Sequence, residues 1–174
     1  MASFIERMVG AARLDVKTYE EVEADPGALG QAVVVVVLSS IAAGVGSGEG
    51  RLIVGALGAL IAWLIWAFLT FVIGTKLLPQ PETKADVGQL LRTVGFAASP
   101  GLLRVFGFIP AIGDIVMLVV SVWMLASMVV AVRQALDYTS TWRAVGVCVV
   151  GWIVVVLWAV IVGGLVTAGG MFSR

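Results

Sequence analysis

Residues 52–75 read LIVGALGALIAWLIWAFLTFVIGT, a run with no charged side chain between Arg51 and Lys76. About 20 consecutive apolar residues suffice for one helical crossing of a bilayer, so this stretch is a membrane span. The sequence on either side repeats the pattern. Gly27 to Gly48 is a second uncharged run, and Ile115 to Val132 and Ala144 to Ala168 are two more. Composition agrees: 60% of the 174 residues are hydrophobic, 13% are charged, and mean hydropathy is +1.08. A soluble domain carries roughly 25% charged residues, so too little polar surface exists here to coat a water-soluble globule.

The expected fold is therefore all-α, a polytopic helical membrane protein with about five transmembrane helices and an N-terminal interfacial amphipathic helix. The spans fall at about 27–47, 52–75, 93–109, 111–133 and 144–168. Residues 1–25 form a cytoplasmic amphipathic segment and 26–174 the transmembrane domain. Ser3 with Glu6, and Thr18 with Glu21, fit capping boxes. Phe4, Ile5, Met8 and Val9 make an apolar face suited to the membrane interface, opposite Glu6, Arg7 and Arg13. This beginning is not the short apolar core of a cleavable signal peptide. Asp25-Pro26 reads as the cap and first residue of span one, and Thr83 with Asp86 caps a short amphipathic helix bearing Val87, Leu90, Leu91 and Val94.

The segment 93–109 is the ambiguous one. Ser99-Pro100-Gly101 interrupts it and Arg104 lies within it. A short kinked span and a re-entrant segment both fit. Loop charge arbitrates. With five spans and the N-terminus inside, eight basic residues (Arg7, Arg13, Lys17, Lys76, Lys84, Arg92, Arg133, Arg143) face the cytoplasm, against Arg51 and Arg174 outside. If the segment does not cross, three fall outside. The positive-inside rule favours five spans and a cytoplasmic N-terminus.

The motif Leu90-Leu91-Arg92-Thr93-Val94-Gly95-Phe96, followed by Ser99-Pro100, resembles the Yip1 domain family. There a leucine–arginine, glycine–aromatic and proline signature opens the third span. It falls here on Leu91, Arg92, Gly95, Phe96 and Pro100, and the resemblance covers about residues 15 to 168. It implies a multi-pass protein of a prokaryotic cytoplasmic membrane. The N-terminus is short and lacks the acidic-Leu-Tyr-Gly-Pro signature of eukaryotic members, which are linked to vesicle traffic and Rab GTPases.

Candidate chemistry is sparse. The formal charge is zero and there is no histidine, which argues against a nucleic-acid partner, a His-based metal site and a His-centred triad. No catalytic residue, cofactor or metal is expected. Cys148 is the lone cysteine. Arg104 and Asp114 are the intramembrane polar pair to watch, either joined across Pro110 or explained by snorkelling and by the helix dipole. Glu20, Glu21, Glu23 and Asp25 read as a solvated acidic face. Trp142 and Tyr138 read as interface anchors, whereas Trp63, Trp66, Trp123 and Trp158 lie near mid-span. An indole there needs a partner, so these four either pack between the chain's own helices or are candidate contacts for a partner span or an apolar ligand. Small pairs at Gly55/Ala59, Ala42/Gly46 and Gly164/Ala168 invite close packing.

The expected function is a non-enzymatic integral membrane protein with a scaffolding, membrane-organising or accessory-subunit role. Its partners are membrane lipids and other membrane subunits or copies of itself. The alternative is a small channel or transporter for a neutral or apolar substrate.

Overall fold

The computed structural model describes the backbone of residues 2–48, 50–81 and 83–172, and within these the side chains up to 158, with 160 and 161. Among the described residues seven α-helices follow in order: α1 Phe4–Ala12, α2 Val16–Ala24, α3 Ala28–Gly46, α4 Leu52–Val72, α5 Val87–Phe96, α6 Gly113–Ala135 and α7 Thr141–Phe172. A wide π turn, Ile73–Leu77, prolongs α4, and a 3-10 stretch, Ser99–Phe108, prolongs α5. Among the described residues four helices are long and apolar enough to cross a membrane: α3, α4 with its π turn, α6 and α7. The chain is an all-helical, multi-pass integral membrane protein.

The third apolar segment is not one long helix. The α-helix stops at Phe96, and Pro100, which has no N–H to donate, sits at the start of the 3-10 stretch. That stretch rises faster per residue than an α-helix. It runs parallel to α3 along its length. Gly95 lies against Ala32, Gly101 against the Ser39 hydroxyl, and Gly107 and the Arg104 carbonyl against Gly46. It runs antiparallel to α6: Gly101 faces Met124, Arg104 bonds Ser121, and Gly107 faces Met117. Glycine is required along this seam because a Cβ on Gly46, Gly95 or Gly101 would meet its neighbour inside van der Waals contact. Of the Ala42/Gly46 pair, Gly46 makes such a close approach, against the Arg104 carbonyl. Gly55 has nothing within 4 Å and faces outward. The Gly164/Ala168 pair lies outside the residues whose side chains are described.

The π turn has a counterpart. Widening the helix leaves carbonyls without their usual donors, and the Tyr138 hydroxyl lies 3.0 Å from the Gly74 carbonyl and 2.7 Å from that of Leu78. Tyr138 is buried. It locks the α6–α7 turn onto α4 rather than anchoring the chain in headgroups, as the sequence had suggested. Trp142 is fully displayed, at 82% exposure.

The N-terminal segment folds as a helical hairpin docked on the bundle. The Ser3–Glu6 capping box forms as expected, with the Ser3 N–H donating to the Glu6 carboxylate at 2.7 Å. The cap of α2 is Asp15 rather than Thr18: its carboxylate accepts from the Lys17 N–H and the Thr18 hydroxyl. α3 begins two residues later than Asp25-Pro26 suggested, although Asp25 still accepts from the Gly27 N–H. The cap of α5 is Asp86, in a capping box with Gln89, rather than Thr83, whose hydroxyl accepts from the Gln80 N–H.

Arg7 departs most from expectation. The guanidinium is 2% exposed and points into the protein, 2.8 Å from both Glu21 and Asp25 and 3.1 Å from Gln31. α1 therefore has three faces, not two. Phe4, Met8 and Ala11 pack on the bundle beside Arg7, Ile5 and Val9 are exposed, and Glu6 lies on the polar side.

Candidate functional site

Two features converge where α3, α4 and α6 meet the third segment: a packing hub built from the sequence motif, and a cleft beside it.

In the hub, Arg92 is buried and reaches from α5 to the C-terminal end of α2. Its Nε donates to the Val22 and Glu23 carbonyls at 3.0 and 3.1 Å, and Nη2 donates to Glu23 as well. Those carbonyls have no donor within their own helix, and a cation there also suits the helix dipole. The Leu91 carbonyl accepts from the Trp63 indole at 3.1 Å. Gly95 leaves room for Ala32 and that same indole. Phe96 is fully buried and meets Phe4 edge to face, ring centres 6.4 Å apart. Pro100 starts the 3-10 stretch. Each motif residue thus holds a different element: α2, α4, α3, α1 and the third segment itself.

These contacts bring the comparison with known proteins to a decision. The family model described as the Yip1 domain matches residues 15–163. The chain belongs to the Yip1 domain family. No curated protein and no solved structure matches it significantly. The matched range begins with α2 and ends in α7, so the Arg92 clasp on α2 is internal to the Yip1 domain, whereas α1 precedes it.

The cleft lies between α3, α4, the third segment and α6, with α7 along one side. It is a half-open space of about 540 Å³, lined by Ser39 and Ser40, Trp63 and Trp66, Arg104, Met124 and Met128, with Trp158 at its edge. A second space of about 360 Å³ adjoins it toward the α3–α4 turn. The two share Ser40, Ala59 and Arg104, and the second reaches Ser47 and Arg51. Arg104 therefore stands between an apolar cleft and a more polar one. Its Nη2 donates to the Ser121 hydroxyl at 3.0 Å, and that hydroxyl donates to the Met117 carbonyl at 2.7 Å. Asp114 is exposed in the first turn of α6. The ion pairs among the described residues are those of Arg7, so the possible Arg104–Asp114 pair does not form. Nor does Arg104 snorkel: its side chain turns across the bundle.

The mid-span tryptophans divide. Trp63 is buried and bonded; the Trp66 indole lies 3.3 Å from the Met128 sulfur; the Trp123 indole donates to the Ala12 carbonyl at 2.7 Å. Three of the four are thus engaged within the chain, and Trp158 alone, 68% exposed, keeps its surface free.

The acidic cluster is not simply solvated. Hydrogen bonds from Arg7 hold the Glu21 and Asp25 carboxyls below the usual carboxylate range. Burial pulls the Arg7 guanidinium down, but bonds to both carboxylates outweigh this and its pKa is raised. Burial pushes Glu23 up to about 7, helped by nearby Asp137 and opposed by Arg92. Glu20 accepts from Gln134 across to α6. Sequence reading missed this network because Arg7, Glu21 and Asp25 are 14 and 18 residues apart. The signal was a lone basic residue beside the apolar stripe of α1, followed by more acids than a solvated turn needs.

Proposed function

We propose that this Yip1 domain is a non-enzymatic, membrane-organising protein that crosses the cytoplasmic membrane of a prokaryote five times, N-terminus inside, and locally thins the leaflet around its N-terminal hairpin. The carrying observation is how far down the bundle that hairpin sits. Trp123, bonded to the end of α1, is 12 residues from the end of α6 at Ala135, roughly 18 Å along a helix axis. Exposed Arg13, Asp15 and Lys17 follow at the hairpin tip. A charged side chain in hydrocarbon is costly, by about 2.5 kcal/mol or more at mid-depth. Headgroups and water must come to meet the tip, and a bilayer adjusts its thickness at modest cost per ångström. The exposed Ile5 and Val9 take the apolar side of that displaced interface. Five crossings are supported by the parallel course of α3 and the third segment and by the sorting of basic residues.

Single cysteines at Arg13 and Gln134, in a Cys148→Ser background, test this. Arg13 follows Ala12, whose carbonyl accepts from Trp123, eleven residues before Gln134 on α6, yet depth-dependent spin-label measurements in vesicles should find both in the headgroup region. Gln134 in the headgroups with Arg13 in bulk water, the hairpin lifted off, would overturn it.

A second reading, an accessory or scaffolding subunit, is favoured by α7. Ala144, Val147 and Gly151 pack inward, but from Trp152 to Trp158 every side chain is exposed. Partner helices, or a second copy, would cover it. Native-detergent sizing and identification of co-purifying chains test this; a lone monodisperse monomer would sink it. The transport alternative draws on the 540 Å³ cleft, where a dry packed interior would have spoken against it. Substrate flux into proteoliposomes tests that reading.

A further inference from the structure

We infer that the cleft holds an anionic phospholipid of the surrounding bilayer, its phosphate on Arg104 and one acyl chain in the chamber lined by Trp63, Trp66 and Met128. The inference does not depend on the thinning role of the hairpin, which lies elsewhere.

Three observations carry it. The first is the unfinished hydrogen bonding of Arg104. Its Nη2 meets Ser121, its Nε is buried without a partner, and no carboxylate among the described residues pairs with it. Guanidinium stays charged at any accessible pH and offers five donors in a planar fork, which matches the oxygens of a phosphate. Burying such a charge without a counter-ion is costly.

The second is the shape of the space. The chamber is a half-open apolar cleft of about 540 Å³, within the range that takes a small ligand. The adjoining mouth of about 360 Å³ carries Ser47 and Arg51 at the end of the bundle. Arg104 lines both. The third is depth. Ser121 is eight residues into α6, roughly 12 Å below its start, so the charge is met from within the membrane more readily than from water.

The ligand must satisfy all three. A neutral apolar molecule fills the chamber and leaves the guanidinium unmatched. A free phosphate matches the guanidinium and leaves the chamber empty. A lipid with a negatively charged head supplies both parts, and it is already at the opening.

The test uses the full chain with Trp142, Trp152 and Trp158 replaced by phenylalanine. Those three are exposed, and their removal leaves Trp63 and Trp66 as the reporters in the chamber, with Trp123 outside it. The protein is reconstituted with phosphatidylglycerol or phosphatidylcholine brominated on the acyl chains, and quenching of tryptophan emission is followed. Phosphatidylglycerol should quench with an apparent affinity about tenfold tighter than phosphatidylcholine. Arg104→Gln should reduce that preference below about twofold, and Arg104→Lys should keep part of it. Ser40→Leu fills the chamber while leaving Arg104 in place, and should abolish the saturable quenching. Equal quenching by the two lipids in the parent reporter would overturn the inference without recourse to any variant. So would a preference that survives Arg104→Gln or Ser40→Leu. Displacement of the lipid by inorganic phosphate would show that the head alone suffices and overturn the role of the chain. A brominated fatty acid that outcompetes phosphatidylglycerol would overturn the assignment to a phospholipid.

Discussion

Arg92 and Glu23 show how much a single contact decides in this fold. The Arg92 fork joins two carbonyls at the end of α2, and a lysine ammonium lacks that planar reach. Arg92→Lys should lower stability by about 1–2 kcal/mol, read as a fall in melting temperature in lipid nanodiscs and as faster proteolysis within residues 13–26. Glu23, whose own carbonyl accepts from Arg92, has its carboxyl raised from 4.5 to about 7 by burial and by Asp137. The folded state therefore holds this proton more tightly than the unfolded state does. The stability it contributes is fully present below pH 4.5 and is lost as pH rises through about 7. The loss should be on the order of 1–2 kcal/mol, because the group is part-exposed and screened. Glu23→Gln should consequently raise the melting temperature at pH 8 and leave it nearly unchanged at pH 4. An equal gain at both values would refute the ionisation account.

At the level of elements, space explains the motif better than chemistry does. A Cβ on Gly95 would stand 2.7 Å from the Ala32 Cβ and 3.3 Å from the Trp63 indole nitrogen. Both neighbours belong to packed helices, so Gly95→Ala should cost about 1–3 kcal/mol by overpacking. Gly58, on the outer face of α4, has nothing within 4 Å. There the same change should be neutral or stabilising by up to about 1 kcal/mol through helix propensity. A thermal-shift comparison of the two variants separates packing from propensity. The elements themselves were legible in the sequence wherever one rule acted alone. Uncharged runs located α3, α4 and α6 to within two or three residues, and the capping box at Ser3 formed. Reading failed where a partner distant in sequence decided the outcome. Arg7 turned inward because Glu21, Asp25 and Gln31 wait for it. Tyr138 was buried because the π turn left carbonyls to fill. The motif residues were visible, but not the five elements they hold, and the cleft beside Arg104 had no local signature at all.

On the scale of the whole molecule, the decisive question is which ends of the bundle share a side. The third segment accompanies α3 in the same direction and α6 returns against it. Chain direction then alternates through α3, α4, the third segment, α6 and α7. The α3–α4 turn lies at one end, with the N-terminal hairpin and the α6–α7 turn toward the other. If a bilayer encloses the bundle along this common axis, Gly50 and Ser140 emerge on opposite sides. A re-entrant third segment would instead return to the side it left, sending α6 across the other way and placing both positions on one side. In Cys148→Ser protein, Gly50→Cys should therefore react with a membrane-impermeant maleimide from outside intact cells. Ser140→Cys should react only after the membrane is opened. The opposite protection pattern would invert the orientation and keep five crossings. Labelling of both from outside would reject the crossing, because only a third segment that fails to cross leaves Gly50 and Ser140 on one side, and it would do so with Arg133 and Arg143 outside, against the sorting of basic residues.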